Sequence, residues 1–139
     1  MKTVSIGDEV YAILVSGEVK EGSEWIGSQH ESIQASRMSY PSGKLFRVHH
    51  HILNPRTIKR TQESFIVISG RIAVDIYSNP KPKLNWNSEL IGTLEAGPGE
   101  AIIVYRGGHG VRVLEDFVGY EMKAGSFSYV SEDKDFHND

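Results

Sequence analysis

The sequence predicts an all-β protein, because it combines many short strand-like segments with frequent turn residues and shows no long amphipathic helix. Eight segments of four to eight residues show apolar–polar alternation or runs of β-branched residues, which are typical of strands. They span residues 10–15, 45–52, 65–68, 72–77, 90–94, 101–105, 111–114 and 118–122. Many short strands separated by turns predict a sandwich, a barrel or a jelly roll with little helix.

Turn residues separate these segments. Ser69-Gly70 predicts a tight hairpin, because glycine accepts a positive φ without steric cost. Other turn residues predict a longer loop at Pro80, Pro82 and Asn85, and glycine turns at 97–99 and 107–108. Residues 17–27 are polar and turn-like, whereas a strand is favoured over 33–40.

Length and composition indicate one ordinary domain. The 139 residues suffice for a single domain over 1–139, with a core at about 30–125, strands within 1–29 and an irregular tail over 126–139. The formal net charge of −3 argues against nucleic acid or an anionic membrane surface as the main partner. The absence of cysteine excludes disulfides, thiolate catalysis and cysteine-bound zinc. No apolar run approaches the ~20 residues of a membrane span, so a cytoplasmic location is expected.

Three consecutive histidines are the most informative feature for chemistry. His49 and His51 are separated by one residue, so on a strand their side chains lie on the same face. If that face lines a barrel, the two imidazoles can converge on one ion or one ligand. Glu63 could add a carboxylate, and His109 lies in a glycine-rich turn, where a histidine is seldom needed for packing.

These residues resemble the first motif of the cupin superfamily. That motif consists of a glycine, five residues, His-x-His, a gap, a glutamate, six residues and a glycine. The corresponding residues here are Gly43, His49, His51, Glu63 and Gly70. The second cupin motif is similar to the turn at Gly99-Glu100, the apolar segment 101–104 and His109.

The resemblance implies a cupin jelly roll, the double-stranded β-helix barrel, with a site at its mouth. In cupins the motif side chains commonly bind a divalent metal ion, which here could be Zn, Fe, Mn or Ni. The implied metal ligands are His49, His51, Glu63 and His109. In an enzyme, Glu63 and His109 are also the candidate catalytic residues, because a carboxylate or a metal-free imidazole can move a proton.

The gap between His51 and Glu63 leaves a second alignment open. It is eleven residues long, which is longer than in the family. Counting back from Glu63 with the family's usual gap puts Thr57 and Lys59 in the histidine positions, and the metal site then disappears. The second motif also departs from the family, because Tyr105 stands where cupins have proline.

The C-terminal part resembles a narrower group, the small cupins encoded among surface-polysaccharide genes. The similarity lies in Glu121, Lys123 and Gly125, followed by the segment 133–136. It implies a sugar or sugar nucleotide as ligand and a context in cell-surface polysaccharide biosynthesis. Sugar-nucleotide epimerases and ketoisomerases share the same barrel and generally work without a metal.

Further candidate ligand-binding residues are two arginines and two tyrosines. Arg47 and Arg56 belong to a basic cluster that could hold a phosphate or carboxylate, or could simply be solvated. Tyr105 and Tyr120 could offer hydroxyl groups to a sugar, or could fill the core.

Three functions are therefore open. The first is a protein that binds a divalent metal, a small polar molecule or both in the barrel mouth. The second is a metal-free sugar-nucleotide isomerase or epimerase, with His49 or His51 as base and Tyr105 or Tyr120 as acid. The third is a non-catalytic ligand-binding module. Because barrels of this size often pair through edge strands, we also expect a homodimer.

Overall fold

The computed structural model describes residues 1–79 and 88–126, and these residues form eight strands and no helix. The strands are β1 (Lys2–Ile6), β2 (Glu9–Val15), β3 (Gly22–Ile26), β4 (Ala35–Ser39), β5 (Glu63–Tyr77), β6 (Leu90–Ala96), β7 (Ala101–Val104) and β8 (Gly108–Lys123). All strand pairs are antiparallel. The all-β prediction is confirmed.

Six of the strands form one sheet that curls into a nearly closed barrel. The sheet order is β1-β2-β7-β5-β6, and β8 pairs with β5. The first part of β5 pairs with β7, and its second part pairs with β6. The sheet meets itself where Gly92 of β6 packs against Val4 of β1, since a Cβ added at Gly92 would lie 2.8 Å from Val4 Cγ2. The predicted barrel architecture is therefore present.

The main core fills the barrel interior. Successive strand residues point to opposite faces, so Ile102 and Val104 of β7 enter this core whereas Ile103 points away from it. The other buried members of the main core are Val4, Tyr11, Ala12, Phe65, Val67, Ile72, Val74, Ile76, Leu94 and Ala96. Burying each large apolar side chain contributes about 1.5–3 kcal/mol, so this interior dominates the stability of the barrel.

A smaller outer core lies on the other face of β2 and β7. The two-stranded sheet of β3 and β4 covers it, with Ile26 and Ile33 packed alongside Ile13 and Ile103. Tyr105, directly after β7, is buried in the same core. Because β2 and β7 are covered on both faces, their sequences are nearly continuous apolar runs.

The two longest strands, β5 and β8, form a ribbon that bends in its middle. Its ladder runs from the pair Glu63–Lys123 to the pair Tyr77–Gly108, with register shifts around Gly70. Gly70 has a φ of +76°, and here the positive φ produces a bulge instead of reversing the chain. The predicted hairpin at Ser69-Gly70 is therefore wrong. A glycine with a positive φ is suited to a hairpin turn and to a bulge alike, so the residue type does not distinguish the two.

Strand β8 likewise joins two segments that were predicted to be separate strands. Residues 111–114 and 118–122 are continuous through Glu115 and Asp116. These two acidic residues resemble a turn in the sequence. In the structure they lie where the ladder shifts register opposite the bulge of β5.

Most of the other strand predictions are confirmed, one strand prediction is wrong, and one segment predicted as turns contains a strand. Strands β2, β6 and β7 correspond to the segments predicted at 10–15, 90–94 and 101–105, and β4 lies within 33–40. The predicted strand at 45–52 is wrong, because this segment has no ladder partner among the described residues. Residues 17–27 are not only turns, since β3 lies within them and depends on pairing with β4.

Two predictions fall outside the described residues: the loop at Pro80, Pro82 and Asn85, and the tail from residue 127 onward. Within the described residues no helix has the length and apolar character that crossing a membrane requires.

Candidate functional site

An open cleft of about 540 Å³ lies on the concave side of the bent ribbon. Strands β5 and β8 supply every residue that lines it: Glu63, Phe65, His109, Val111, Val113, Phe117, Gly119, Tyr120 and Glu121. Four of these residues have apolar side chains and four carry polar groups, the latter being Glu63, His109, Tyr120 and Glu121. A concave surface with apolar walls and a few convergent polar groups is typical of small-molecule sites.

Glu63 is the buried anchor of the cleft. It is the first residue of β5 and lies two positions before Phe65, so both side chains point into the barrel. Only 4% of Glu63 is exposed. A buried carboxylate is costly unless charged or hydrogen-bonding groups compensate it, so its partners determine whether it can be tolerated.

His109 is the first partner of Glu63. Its Nε2 lies 2.8 Å from Glu63 Oε2. On the ribbon, His109 pairs with Ile76. Ile76 comes thirteen residues after Glu63 on β5, so the two would be about 43 Å apart if the strand were straight. The bend of the ribbon therefore brings its two ends together, and this bend creates the site.

Lys123 is the second partner of Glu63. The two residues are directly opposite each other on β5 and β8, and Lys123 Nζ lies 3.0 Å from Glu63 Oε1. Cross-strand neighbours share a face, so this contact follows directly from the register. Each carboxylate oxygen of Glu63 thus has a nitrogen partner.

These contacts lower the pKa of Glu63. Burial by itself would raise the pKa, but the hydrogen bonds and charges of His109 and Lys123 bring it down from 4.5 to about 2. Glu63 is therefore ionised near neutral pH and can only accept hydrogen bonds. It follows that His109 Nε2 carries the proton in this pair, and Nδ1 is the other ring nitrogen of His109.

Phe65 fixes the other side of the imidazole. The rings of Phe65 and His109 are 5.8 Å apart and meet edge to face at 62°. With Glu63 holding Nε2 and Phe65 against the ring, the orientation of His109 is set by two contacts of different kinds. A histidine held in this way is suited to hydrogen-bond or proton chemistry.

The structure brings together Glu63 and His109 but not all of the predicted site residues. Tyr120 lines the cleft and is exposed. His49 and His51 contact each other, with ring centroids 5.3 Å apart, and do not line this cleft. Arg47, Arg56 and both histidines belong to the exposed stretch before β5, as do the alternatives Thr57 and Lys59.

Tyr105 belongs to the outer core and not to the cleft. It is 1% exposed, and burial, aided by the charge of Glu31, raises the pKa of its hydroxyl. The neighbouring Gln62 points away from the cleft, as its alternation with Glu63 predicts. Its amide oxygen accepts a hydrogen bond from Ile33 N at 2.7 Å, and its amide nitrogen donates to Glu31 Oε2 at 2.6 Å. Gln62 therefore ties the start of β5 to the segment between β3 and β4.

As arranged here, the donor set does not fit a metal ion. Within 1–79 and 88–126, no group of three or more His, Asp or Glu side chains could hold one. Glu63 is already bonded on both oxygens, and the Lys123 ammonium beside it opposes a second positive charge. Metal binding by His49, His51, Glu63 and His109 stays a prediction, which metal analysis of protein purified without a nickel column would test.

Several residues of the cleft were not identified from the sequence. Phe65, Val111 and Val113 look like ordinary strand residues, and Lys123 had no assigned partner. The signal that could have found Lys123 is the antiparallel register of β5 and β8, which places it opposite Glu63. Such a register depends on the bend at Gly70 and cannot be obtained from local alternation.

Comparison of the chain with protein-family models, with curated proteins and with solved structures finds no match. The cupin resemblance therefore rests on the motif residues alone.

Proposed function

We propose that the cleft binds a small polar organic molecule and that His109 exchanges a proton with it. The observation that carries this proposal is the 2.8 Å contact between His109 Nε2 and the buried, ionised Glu63. A carboxylate that holds one imidazole nitrogen stabilises the imidazolium that forms when the other nitrogen takes up a proton. A merely structural histidine does not need such a partner at the mouth of an open cleft.

The class of ligand follows from the walls and from the cupin resemblance. Phe65, Val111, Val113 and Phe117 offer an apolar surface, while Glu121 and Tyr120 offer polar groups near the rim. Sugars present both kinds of surface, because their ring C–H faces are apolar and their hydroxyls are polar. The small cupins with similar C-terminal motifs belong to surface-polysaccharide gene sets, so we favour a sugar or sugar nucleotide.

The reaction class that suits the pair is proton abstraction next to a carbonyl. His109 Nδ1 would take the proton from the carbon, and Glu63 would stabilise the resulting imidazolium. A proton would then return to the opposite face of the same carbon, which gives an epimer, or to the neighbouring carbonyl carbon while the hydroxyl proton passes to the former carbonyl oxygen, which gives an isomer. Neither route gains or loses atoms overall. Tyr120, whose side chain is exposed on the cleft, is the candidate hydroxyl donor to the substrate oxygen.

His109→Gln should separate binding from chemistry. The glutamine amide can still donate to Glu63 but has no Nδ1, so proton transfer should fall by roughly 10²–10⁴-fold while binding changes little. Nucleoside-diphosphate hexoses and their keto derivatives would be screened by thermal shift. Deuterium uptake at the carbon next to the carbonyl would then be followed by NMR in D₂O.

His50→Gln is the matched control, because His50 is an exposed histidine outside the cleft. It should leave both binding and deuterium uptake unchanged. Unchanged uptake in His109→Gln, or no binding of any compound in the panel, would contradict the proposal. Tight binding without uptake in the wild type would contradict the catalytic part and favour a binding module.

A further inference from the structure

The charges around the cleft are uneven. Among the described residues that line it, Glu63 and Glu121 are acidic and none is a lysine or an arginine. The ammonium group of Lys123 lies beside both carboxylates, 3.0 Å from Glu63 Oε1 and 4.0 Å from Glu121 Oε1. The two carboxylates and this ammonium together carry −1, which is −2 plus +1. A ligand in the cleft therefore meets a negative surface.

Glu121 is the carboxylate that can still accept a hydrogen bond from a ligand. Its contact with Lys123 is longer than a hydrogen bond, and within the described part of the chain no group donates a hydrogen bond to it. Its side chain is 48% exposed, whereas that of Glu63 is 5% exposed and has a nitrogen partner on each oxygen. A donor group of a ligand would therefore be bound by Glu121.

Two aromatic rings flank Glu121. Phe65 is directly opposite it on β5, so the two Cβ atoms are about 4.5–5.5 Å apart. Phe117 is on the same face of β8, and its ring covers the intervening Gly119. A Cβ added at Gly119 would lie 2.5 Å from Phe117 Cζ, which explains the glycine at this position. The ring of Phe117 thus extends along the strand in the direction of Glu121.

A carboxylate between two aromatic rings suits a cation better than any other kind of group. The face of an aromatic ring attracts a cation, and a carboxylate accepts charge-assisted hydrogen bonds from its N–H groups. An anionic group would be repelled by the net negative charge of the cleft. A neutral hydroxyl group could bond to Glu121 but would not gain the attraction of the ring faces.

We propose that the ligand of this cleft carries a protonated amino group, which Glu121 binds between Phe65 and Phe117. Glu121 is then a specificity-determining residue, and within the sugars the substrate class is that of the amino sugars. In a nucleotide-linked sugar the diphosphate would lie outside the cleft. The proposal rests on the proposed function, because it places the ligand in the same cleft, but it requires no proton transfer by His109.

Four monosaccharides of similar shape test the charge preference. D-Glucosamine carries an ammonium group where D-glucose has a hydroxyl and N-acetyl-D-glucosamine has a neutral amide, and D-glucuronate is an anion. Dissociation constants would be measured on the full chain by following amide NMR shifts of cleft residues, at a pH at which the amine is protonated. Glucosamine should bind about tenfold or more tightly than either neutral sugar, and glucuronate should bind most weakly.

Glu121→Gln tests the residue that selects the amine. It keeps the shape of the side chain and removes the charge, so it should weaken glucosamine binding about tenfold or more and change glucose binding little. Glu115→Gln is the matched control on the same strand, because Glu115 is an exposed carboxylate that does not line the cleft. It should leave the preference for glucosamine unchanged.

Phe117→Leu tests the aromatic contribution separately. Leucine keeps an apolar side chain but has no ring face, so glucosamine binding should weaken roughly two- to thirtyfold, with little change for glucose. A thermal melt of each variant checks that it is folded. The comparison of the four sugars on wild type needs no variant and tests the proposal even if one of them unfolds.

Equal binding of glucosamine and glucose, tightest binding of glucuronate, or no shift of cleft residues with glucosamine would overturn the proposal. So would an undiminished preference for glucosamine in Glu121→Gln. These outcomes are distinct from failure of the proton chemistry. Deuterium uptake that depends on His109 without a preference for the amine would leave the proposed reaction standing and remove only this inference. A preference for the amine without deuterium uptake would do the reverse.

Discussion

Acidification from pH 5 to pH 2 should remove about 3 kcal/mol of unfolding free energy through the single carboxyl group of Glu63. Burial raises the pKa of this group, but His109 and Lys123 overcome that effect and hold it at about 2 instead of 4.5. The folded protein therefore binds this proton more weakly than the unfolded chain does. A shift of this size corresponds to a large fraction of the total stability of a small domain.

The pH window follows from the sign of the shift. Because the folded-state pKa is lower than the unfolded one, the stabilisation is fully present above pH 4.5. It is lost as the pH falls from 4.5 towards about 2, where Glu63 protonates in the folded state as well. Protonation also weakens the contact of Glu63 with His109, which joins the two ends of the ribbon, so these ends should loosen in this range.

Glu63→Gln isolates this contribution from that of the other carboxylates. At pH 7 the variant should be about 3 kcal/mol less stable than wild type in urea denaturation, and the difference should vanish towards pH 2. Glu95→Gln is the control, since Glu95 forms an exposed ion pair with Arg71 that contributes about 0–1 kcal/mol. A stability difference for Glu63→Gln that does not change between pH 5 and pH 2 would contradict the assignment.

Gly70→Ala should destabilise the protein by about 2–5 kcal/mol and disturb the cleft. A Cβ at this position would lie 1.9 Å from the carbonyl oxygen of Asp116, which is backbone of β8 and cannot rotate away. The φ of +76° adds about 1–2 kcal/mol for any residue with a Cβ, and overpacking adds about 1–3 kcal/mol. Since the bulge sets the bend of the ribbon, its distortion should also separate Glu63 from His109.

Gly99→Ala is the matched control for the cost of placing a residue with a Cβ at a positive φ. Gly99 also has a positive φ, +80°, but a Cβ there would meet nothing within 4 Å. It should therefore cost only about 1–2 kcal/mol. Denaturation with urea measures both variants. Equal losses for Gly70→Ala and Gly99→Ala would show that the close approach of Asp116 is relieved at little cost.

The fold class and several strands were predictable because they depend on local pattern. The apolar runs of β2 and β7 mark strands regardless of where they pair, and the glycine at 99 marks a turn by its need for positive φ. Gly70 shows the limit of this reasoning, since a positive φ serves a hairpin and a bulge equally well. Whether β5 continues or reverses is decided by the partners on either side of it.

The candidate site was predictable only in part for the same reason. Glu63 and His109 were identified by residue type and motif, and the structure places them in contact. Lys123 and the apolar walls depend on a ladder register that no local window contains. For His49 and His51 the sequence predicts a strand, whereas the structure contains none there, so their ligand role could not be inferred from alternation.

All walls of the cleft belong to two strands, β5 and β8, whose far ends meet where His109 contacts Glu63 and Phe65. A molecule bound there would hold the two ends of the ribbon together and would not touch the other six strands. Its binding energy would therefore oppose opening of this one ribbon and raise the melting temperature. Substitutions elsewhere in the barrel could then alter solubility or assembly and leave the recognition chemistry unchanged.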